Sequence, residues 1–469
     1  MFRPALRLYD DNGLSDDGET WPVNALTRMI TVAFAVAFAV AFAVAIAPPA
    51  VFAQTAQAPA AIDQFARLQG ELRRTHESGD AAAYLAASQS MYSFLNGSPL
   101  AVLQLMSAET FAGKPDEALH RFAQFVATGQ ANEEALKAKS FDPLRDLPRY
   151  QSIHADMVAN TAAKTTAEQV FQLQSAAGIP EDIDYDPQTK QFYISTVLGK
   201  QILRVNTSGG TKLFASAPDQ WPMMALKVDS HRHSLWATEV ALDGFAAVAK
   251  EDWGSSAILE YDLRSGKLLH RIEGPPKAAL GDMALAANGD PVVSDGEHGG
   301  VYRVDRDTQS VARIDAGDFV SPQTPAVLAD GKHILVPDYV RGVALLDLNT
   351  RHVDWLPMDG RHALSGIDGL YALGNTLIAT QNGTSPERVV QFTLTAPKTG
   401  VLSESIIERA TPTLGDPTHG VVVGDYFYYI ANSGWDNLDE HGVIKAGKTL
   451  SAPIIMRTKL NRRGQNWRG

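Results

Sequence analysis

Polar residues that could do chemistry recur at a fixed interval through the second two-thirds of this chain. Glu181-Asp182, Ala225-Leu226, Gly281-Asp282, Thr324-Pro325, Ile367-Asp368 and Thr418-His419 stand in turn fourteen residues before Ser195, Glu239, Asp295, Asp338, Gln381 and Asn432. Several carboxylates brought to one point repel one another unless they are protonated or bind a cation. A hard, oxygen-ligated cation such as Ca²⁺ resolves that conflict. Asp295 and Asp338 have a plainer role open to them, since an Asp at a strand end can accept from the backbone of the adjacent turn. His419 has a plainer one as a hydrogen-bonded loop residue. Trp435, in Asn432-Ser-Gly-Trp435, either lines a pocket or packs. The chain contains no Gly-x-Ser-x-Gly elbow, no His-Glu-x-x-His pair and no phosphate-binding loop.

The fourteen-residue interval reads as a hairpin. In Glu181–Ser195, Ile183 and Tyr185 alternate with polar residues, Asp186-Pro187 starts a turn, and Phe192-Tyr193-Ile194 is strand-like. Asn288-Gly289 and Asp330-Gly331 supply the same turn in later copies. A third strand follows each hairpin, as in Gln201–Val205 and Val343–Asp347, and a fourth is usually readable, as in Thr211–Phe214. Four short strands repeated six times, with closing residues 43 to 56 positions apart, predict a mainly β fold, a six-bladed β-propeller over residues 166–460. An irregular β-sandwich is the alternative. Insertions are expected near Asp243–Ser256 and Pro397–Asp416. In a propeller, the residue opening an inner strand and the residue leaving the next strand end on one face, so all twelve positions would ring one end of the channel.

The net charge of −12 and the absence of a basic stripe argue against a nucleic-acid partner. No cysteine is present, which removes thiolate ligands, Cys nucleophiles and disulfides. Ile30–Ala47 carries no charge and is followed by Pro48-Pro49 and Val51-Phe-Ala53. This reads as a signal peptide over residues 1–53, with export to the periplasm or medium; an uncleaved anchor is the alternative. Translation from Met29 would remove the acidic stretch ahead of the run. Asn206-Thr-Ser208 and Asn382-Gly-Thr384 fit the glycosylation pattern.

Residues 54–165 are rich in Ala, Leu, Glu and Gln, with helical apolar spacing at Pro99–Met106 and Asp116–Phe125 around a Gly113-Lys114-Pro115 break. These helices resemble a tetratricopeptide-type hairpin, and Ser140–Tyr150 resembles the segment that closes such arrays. The resemblance implies a peptide-binding groove for a protein partner; the plainer expectation is a helical cap or spacer packed on the propeller.

Three segments carry a second resemblance: Gly178-Ile-Pro-Glu181-Asp-Ile-Asp-Tyr-Asp186, Asp330-Gly331 through Asp338-Tyr339, and Gly366-Ile-Asp368-Gly369-Leu370. They are similar to the propellers of the senescence-marker-protein, gluconolactonase and strictosidine-synthase-like group, from roughly Phe171 to Leu460. Many members of that group hydrolyse lactones or related esters with a divalent cation, usually calcium. The resemblance implies that Glu181 and Asp368 are metal ligands. The group's Asn ligands fall near Gly281, which offers no side chain, and near Gln323, which offers an amide oxygen. Asp368 is then the general base, and Gln381, Asn382, His419 and Asn432 orient a small-molecule substrate at the channel mouth. A non-catalytic binding propeller, whose helical region recruits a partner, is the other expectation.

Overall fold

Alternating apolar strands separated by Asp- and Gly-containing turns fold into six sheets around one axis. The computed structural model describes residues 59–174, 178–396 and 398–460. The Ile30–Ala47 run, the cleavage expected after Ala53 and the C-terminal tail 461–469 lie outside the described residues. Blade 1 contains β3 (Pro180–Asp186), β4 (Gln191–Thr196), β5 (Gln201–Val205) and β6 (Thr211–Ser216). Blade 2 contains β7 (Met223–Asp229), β8 (Ser234–Val240), β9 (Ser256–Asp262) and β10 (Leu268–Glu273). Blade 3 contains β11 (Leu280–Leu285), β12 (Pro291–Asp295), β13 (Gly300–Asp305) and β14 (Ser310–Arg313). Blade 4 contains β15 (Ala326–Val327), β16 (His333–Asp338), β17 (Gly342–Asp347) and β18 (Val353–Trp355). Blade 5 contains β19 (Gly369–Leu373), β20 (Thr376–Gln381), β21 (Arg388–Leu394) and β22 (Val401–Arg409), with β1 (Lys164–Thr165) added outside β22. Blade 6 contains β23 (Gly420–Val423), β24 (Tyr426–Ile430) and β25 (Ile454–Lys459).

The outermost strand of blade 6 comes from the other end of the domain. β2 (Glu168–Gln172) pairs antiparallel with β25, Glu168 opposite Arg457 and Gln172 opposite Ile454. Completing the last blade with the first strand joins the two ends of the ring by hydrogen bonds and leaves blade 6 no shorter than the others. Hydroxyl pegs lock blade to blade. Ser195 Oγ donates to Met224 O, Ser294 Oγ donates to Gln323 O at 2.9 Å, and Thr380 Oγ1 donates to Thr418 O. Three outer hairpins are shaped by the Asp that ends the third strand. Asp262, Asp305 and Asp347 each accept from the amide three residues on, at 2.8 to 2.9 Å.

The residues preceding the propeller form α1 (Ala61–Glu77), α2 (Ala81–Phe94), α3 (Pro99–Phe111), α4 (Pro115–Ala127), the one-turn α5 (Glu133–Leu136) and α6 (Asp142–Arg145), and α7 (Pro148–Ala159). Proline opens α3, α4 and α7, where its missing N–H costs nothing. Helix α3 is buried on every side between α2 and α4, which explains why its apolar residues show no single face.

These helices dock on the propeller loops at the face where the inner strands begin. Ala61 N donates to Gly317 O at 2.8 Å, and Arg388 Nη1 donates to Thr128 O at 3.1 Å. Val320 and Val340 join the core of α1, α2 and α3. Arg341 supplies a further joint. Its guanidinium lies over the Phe94 ring at 4.4 Å and the Trp355 ring at 4.3 Å, and it donates to Phe94 O at 3.1 Å and to Asp318 O. The region is therefore packed on the propeller, as the cap reading expected. The residues near Asp243–Ser256 form an extra loop between β8 and β9, also as expected. Those near Pro397–Asp416 do not form one: they are used mainly in the nine-residue outer strand β22. The larger loop of the last third lies between β24 and β25.

Arg341→Ala is expected to cost about 2 kcal/mol through the lost cation–π contacts and charged hydrogen bonds. Limited proteolysis should then cut between the helices and blade 1 faster than in the unmodified protein, and the melting temperature should fall. Equal cleavage rates and melting temperatures would show that the joint does not depend on Arg341.

Candidate functional site

The first turns of the inner strands converge at the channel axis and bring polar side chains together there. Asp182 and Glu181 come from β3, Asp282 from β11, Thr324 from the residue pair before β15, Asp368 from just before β19 and His419 from just before β23. All are buried; Asp368 is fully so. Blade 2 contributes no acid at this point. Its Lys227 instead reaches Asp182, with Nζ to Oδ2 at 2.5 Å, while Leu226 N donates to the same oxygen at 2.9 Å.

His419 is the hub. Its Nδ1 lies 2.8 Å from Glu181 O, a carbonyl that can only accept, so Nδ1 carries a proton. Its Nε2 lies 2.7 Å from both Asp282 Oδ1 and Thr324 Oγ1. The Thr324 hydroxyl donates to Asp282 Oδ1 at 2.8 Å, so with its one proton spent there Nε2 must donate too. His419 is then an imidazolium. Burial alone would lower its pKa, but the carboxylates of Asp182, Asp368 and Asp282 outweigh that and hold it well above the ordinary histidine value.

The carboxylates are pushed the other way. Burial is the largest influence on Asp368, and the nearby charges of Glu181, Asp282 and Asp416 add to it, so its pKa stands well above the usual carboxylate range despite His419. Burial also pushes Glu181 up to about 7, against the opposing charge of His419 and a hydrogen bond from Trp435. That bond, Trp435 Nε1 to Glu181 Oε2, is 2.5 Å long. Asn382 Nδ2 donates to Asp368 Oδ2 at 2.7 Å, and Tyr339 OH donates to Asn382 Oδ1 at 3.1 Å.

Asp368 is placed by the glycines around it. Gly366 has φ +67, and its N donates to Tyr339 O at 2.7 Å. A Cβ on Gly366 would lie 2.6 Å from the Gly383 carbonyl carbon, so the two backbones can approach only without side chains. Asp368 N then donates to Thr380 O at 2.9 Å.

Among the described residues, the buried side-chain oxygens without a hydrogen-bond partner include Glu181 Oε1, Asp368 Oδ1, Gln323 Oε1 and, beside His419, Thr418 Oγ1. The first three belong to the residues expected from the sequence as metal ligands. The Gln323 amide nitrogen is held by Ser321 O at 3.3 Å, which turns the oxygen away from that loop. Asp282, Asp368 and His419 also present one ligand atom each within 4.8 Å of one another. Orphaned buried oxygens of this kind fit a divalent cation. Oxygen donors of this kind suit Ca²⁺, whereas His419, with both ring nitrogens donating, offers a metal no lone pair.

The expected substrate-binding residues divide. Asn382 and His419 lie in the cluster. Gln381 and Asn432 do not reach it. Gln381 Nε2 donates to Ala363 O and Ser365 O, both at 2.9 Å, and its Oε1 accepts from Arg388 Nε at 2.7 Å. Asn432 Oδ1 accepts from Ile454 N at 2.6 Å, and its Nδ2 donates to Ala452 O. Both side chains are spent on holding loops. Asp338 is likewise a turn cap, accepting from Val320, Ser321, Val340 and Arg341 amides. Asp282, Thr324 and Lys227 are the participants that sequence reasoning left without a role. Asp282 supplies a carboxylate one residue after Gly281, where a missing ligand was expected. The signal available was its place beside Gly281 in the repeat.

The mouth is covered. The blade-2 loop 241–255 and the blade-6 loop 431–453 meet across it, with Ala246 N donating to His441 O at 2.9 Å and the Phe245 and Trp435 rings 6.2 Å apart. Leu242, Phe245, Val248 and Leu438 pack with Ile179 and Met224 beneath. The docked helices stand on the other side, above blades 4 and 5.

The fold and site define a six-bladed β-propeller with a buried acid–histidine cluster at one end of its axis. No protein-family model matches the chain, and no curated protein matches it. Among solved structures it is similar to a gluconolactonase from Xanthomonas campestris, at 14% identity and a TM-score of 0.45, over 65% of this chain and 93% of that one. It is also similar to the PQQ-bound aldose sugar dehydrogenase from Streptomyces coelicolor, at 13% identity and a TM-score of 0.43, over 63% and 97%. A virginiamycin B lyase from Staphylococcus aureus matches at 13% identity and a TM-score of 0.40, over 64% and 100%. Function has to rest on the site's own residues.

With its pKa raised from 4.5 to about 7, Glu181 keeps in the folded protein a proton that the unfolded chain has released. Folded protein then binds more protons than unfolded across that window, so stability falls as pH rises through it. In chelator-treated protein, Glu181→Gln should therefore show a shallower loss of melting temperature between about pH 4.5 and 7 than the unmodified protein. Parallel pH profiles would remove Glu181 as the titrating group.

Proposed function

We propose that the channel mouth is the active site of a hydrolase acting on a small lactone or ester, with a divalent cation as its electrophile. The observation that supports this reading is the set of unpartnered buried oxygens on Glu181, Asp368 and Gln323, the first two beside the charged His419. Calcium is the proposed cation. When bound, it would polarise the substrate carbonyl and offset the charge that develops on its oxygen.

The chain's own residues supply the rest. Asn382 occupies Asp368 Oδ2, so Oδ1 is the oxygen left to take a proton from water. Asp368 needs nearby positive charge to act as a base, because burial and the neighbouring acids favour its protonated form. His419 supplies part of that charge, and Thr324 and Glu181 O keep its ring from turning. Trp435 holds Glu181 Oε2 and closes the site above it, which excludes water from the cluster. Substrate reaches the cluster when the loops 241–255 and 431–453 part. The signal-peptide reading of residues 1–53 supports the periplasm or the medium as the place of this activity.

A second reading is favoured by His419 itself. An imidazolium already bonded to Asp282 could serve as the permanent counter-charge of a non-catalytic binding propeller, with the helical region recruiting a protein partner.

The two readings separate by assay. A panel of sugar lactones and aryl esters should be hydrolysed with Ca²⁺ or Mn²⁺ present. Asp368→Asn should lower kcat by about a hundredfold or more, within the usual reach of general-base catalysis, with its melting temperature retained. A folded, cation-loaded protein that turns over none of the panel would leave the binding reading.

A further inference from the structure

A second group of ligating side chains lies beside the central cluster. Asp243 opens the blade-2 loop, and Glu297 and His298 occupy the turn between β12 and β13. One ligand atom from each lies within 4.8 Å of the other two. The neck of the loop places Asp243: Ala241 N donates to Ser255 O at 2.9 Å, and Gly254 N donates to Ala241 O at 3.0 Å. Asp295 places the other two. Its Oδ1 accepts from Glu297 N at 3.0 Å and from His298 N at 2.9 Å, while its Oδ2 stands 3.4 Å from His298 Nδ1.

An independent observation points to something bound there. Both carboxylate oxygens of Glu297 are sealed from solvent, and neither accepts a hydrogen bond. Asp243 Oδ1 is in the same state. A carboxylate buried in this way has lost its hydration without receiving a partner. His298 faces both acids, and Lys277 faces Asp243. Neither side chain hydrogen-bonds the Glu297 oxygens. Gly296 and Glu297 also line a narrow cavity with Gly281, Asp282 and Gln323.

We propose that Asp243, Glu297 and His298 form a second cation site, for a zinc-type first-row divalent ion. Two carboxylates and one imidazole match the donor preference of Zn²⁺, whereas Ca²⁺ takes an all-oxygen shell. Three protein ligands leave room for water or a substrate oxygen. His298 Nδ1 is 3.4 Å from Asp295 Oδ2 and is itself without a hydrogen-bond partner. Bonds of about 2.1 Å draw the three ligand atoms inward, a movement that the Asp243 side chain can make from its loop. The site shares no ligand with the central cluster, so it stands or falls apart from the hydrolase reading.

The test is calorimetric titration of Zn²⁺ into the chelator-treated full chain, with bound zinc counted by atomic emission after dialysis. Asp368→Asn, which disables the central cluster, should retain one equivalent. Glu297→Gln and Asp243→Asn should each weaken that equivalent by about tenfold or more, since removing even an outer partner of a ligand has an effect of that size. Asp243→Asn alters a loop residue, and an unchanged circular dichroism spectrum shows that the fold is kept. The proposal is overturned if the unmodified protein binds no zinc, or if both variants bind it as the unmodified protein does. It is also overturned if Asp368→Asn abolishes all binding, which assigns the metal to the central cluster.

Discussion

A propeller forces the first turns of all its inner strands toward one axis, and in this chain those turns carry Glu181, Asp182, Asp282, Asp368 and His419. Charges this close and this buried must be balanced locally, because no water remains to screen them. Lys227 balances Asp182 through a direct ion pair. His419 balances Asp282 and part of Asp368, and the remaining acids respond by holding protons more tightly. The rest of the molecule is arranged around that balance. The Ser195, Ser294 and Thr380 pegs set the distance between inner strands, and β2 closes the ring so that blade 6 brings His419 within reach of blade 3.

The covering of the mouth follows from the same constraint. A polar cluster keeps its raised pKa values only while water is excluded, and two unrelated pieces of the chain do the excluding. The loops 241–255 and 431–453 seal one side with Phe245, Leu438 and Trp435. The helices α1–α4 stand on the loops of blades 4 and 5 on the other. Arg341 joins the helices to the propeller while its own turn is capped by Asp338, whose neighbour Tyr339 bonds Asn382. A physical path therefore runs from the helical region to the residue that orients Asp368.

Much of this was legible in the residues. The fourteen-residue interval predicted the hairpins and the number of blades, because a strand pair of fixed length and a turn of fixed chemistry repeat only in such a ring. Pro and Gly marked the helix starts and stops at Pro99, Gly113 and Pro115. The repeat also points to Glu181 and Asp368 by position, whereas that each keeps an oxygen without a partner depends on packing. For Gln381 and Asn432 the repeat places the backbones on the expected face but says nothing of where an amide side chain turns. Each found main-chain groups nearer than the axis. Asp282 and Thr324 stand among the repeat's opening positions, but a carboxylate and a hydroxyl in different blades look unrelated until His419 lies between them. The closing strand β2 was hidden because pairing across nearly the whole domain leaves no local pattern.

The sequence by itself determined the periodic structure: six hairpins with their turns, a helical segment ahead of them, and one polar position per blade at the same face. Those features depend on neighbours a few residues apart, and local sterics and amphipathic spacing decide them. Only the tertiary structure decided which polar atoms meet and which are left without partners. The ionisation of His419, the orphaned oxygens of Asp368 and Glu297, and the closed mouth all depend on groups from different blades. Their energies depend on burial, which no stretch of sequence contains.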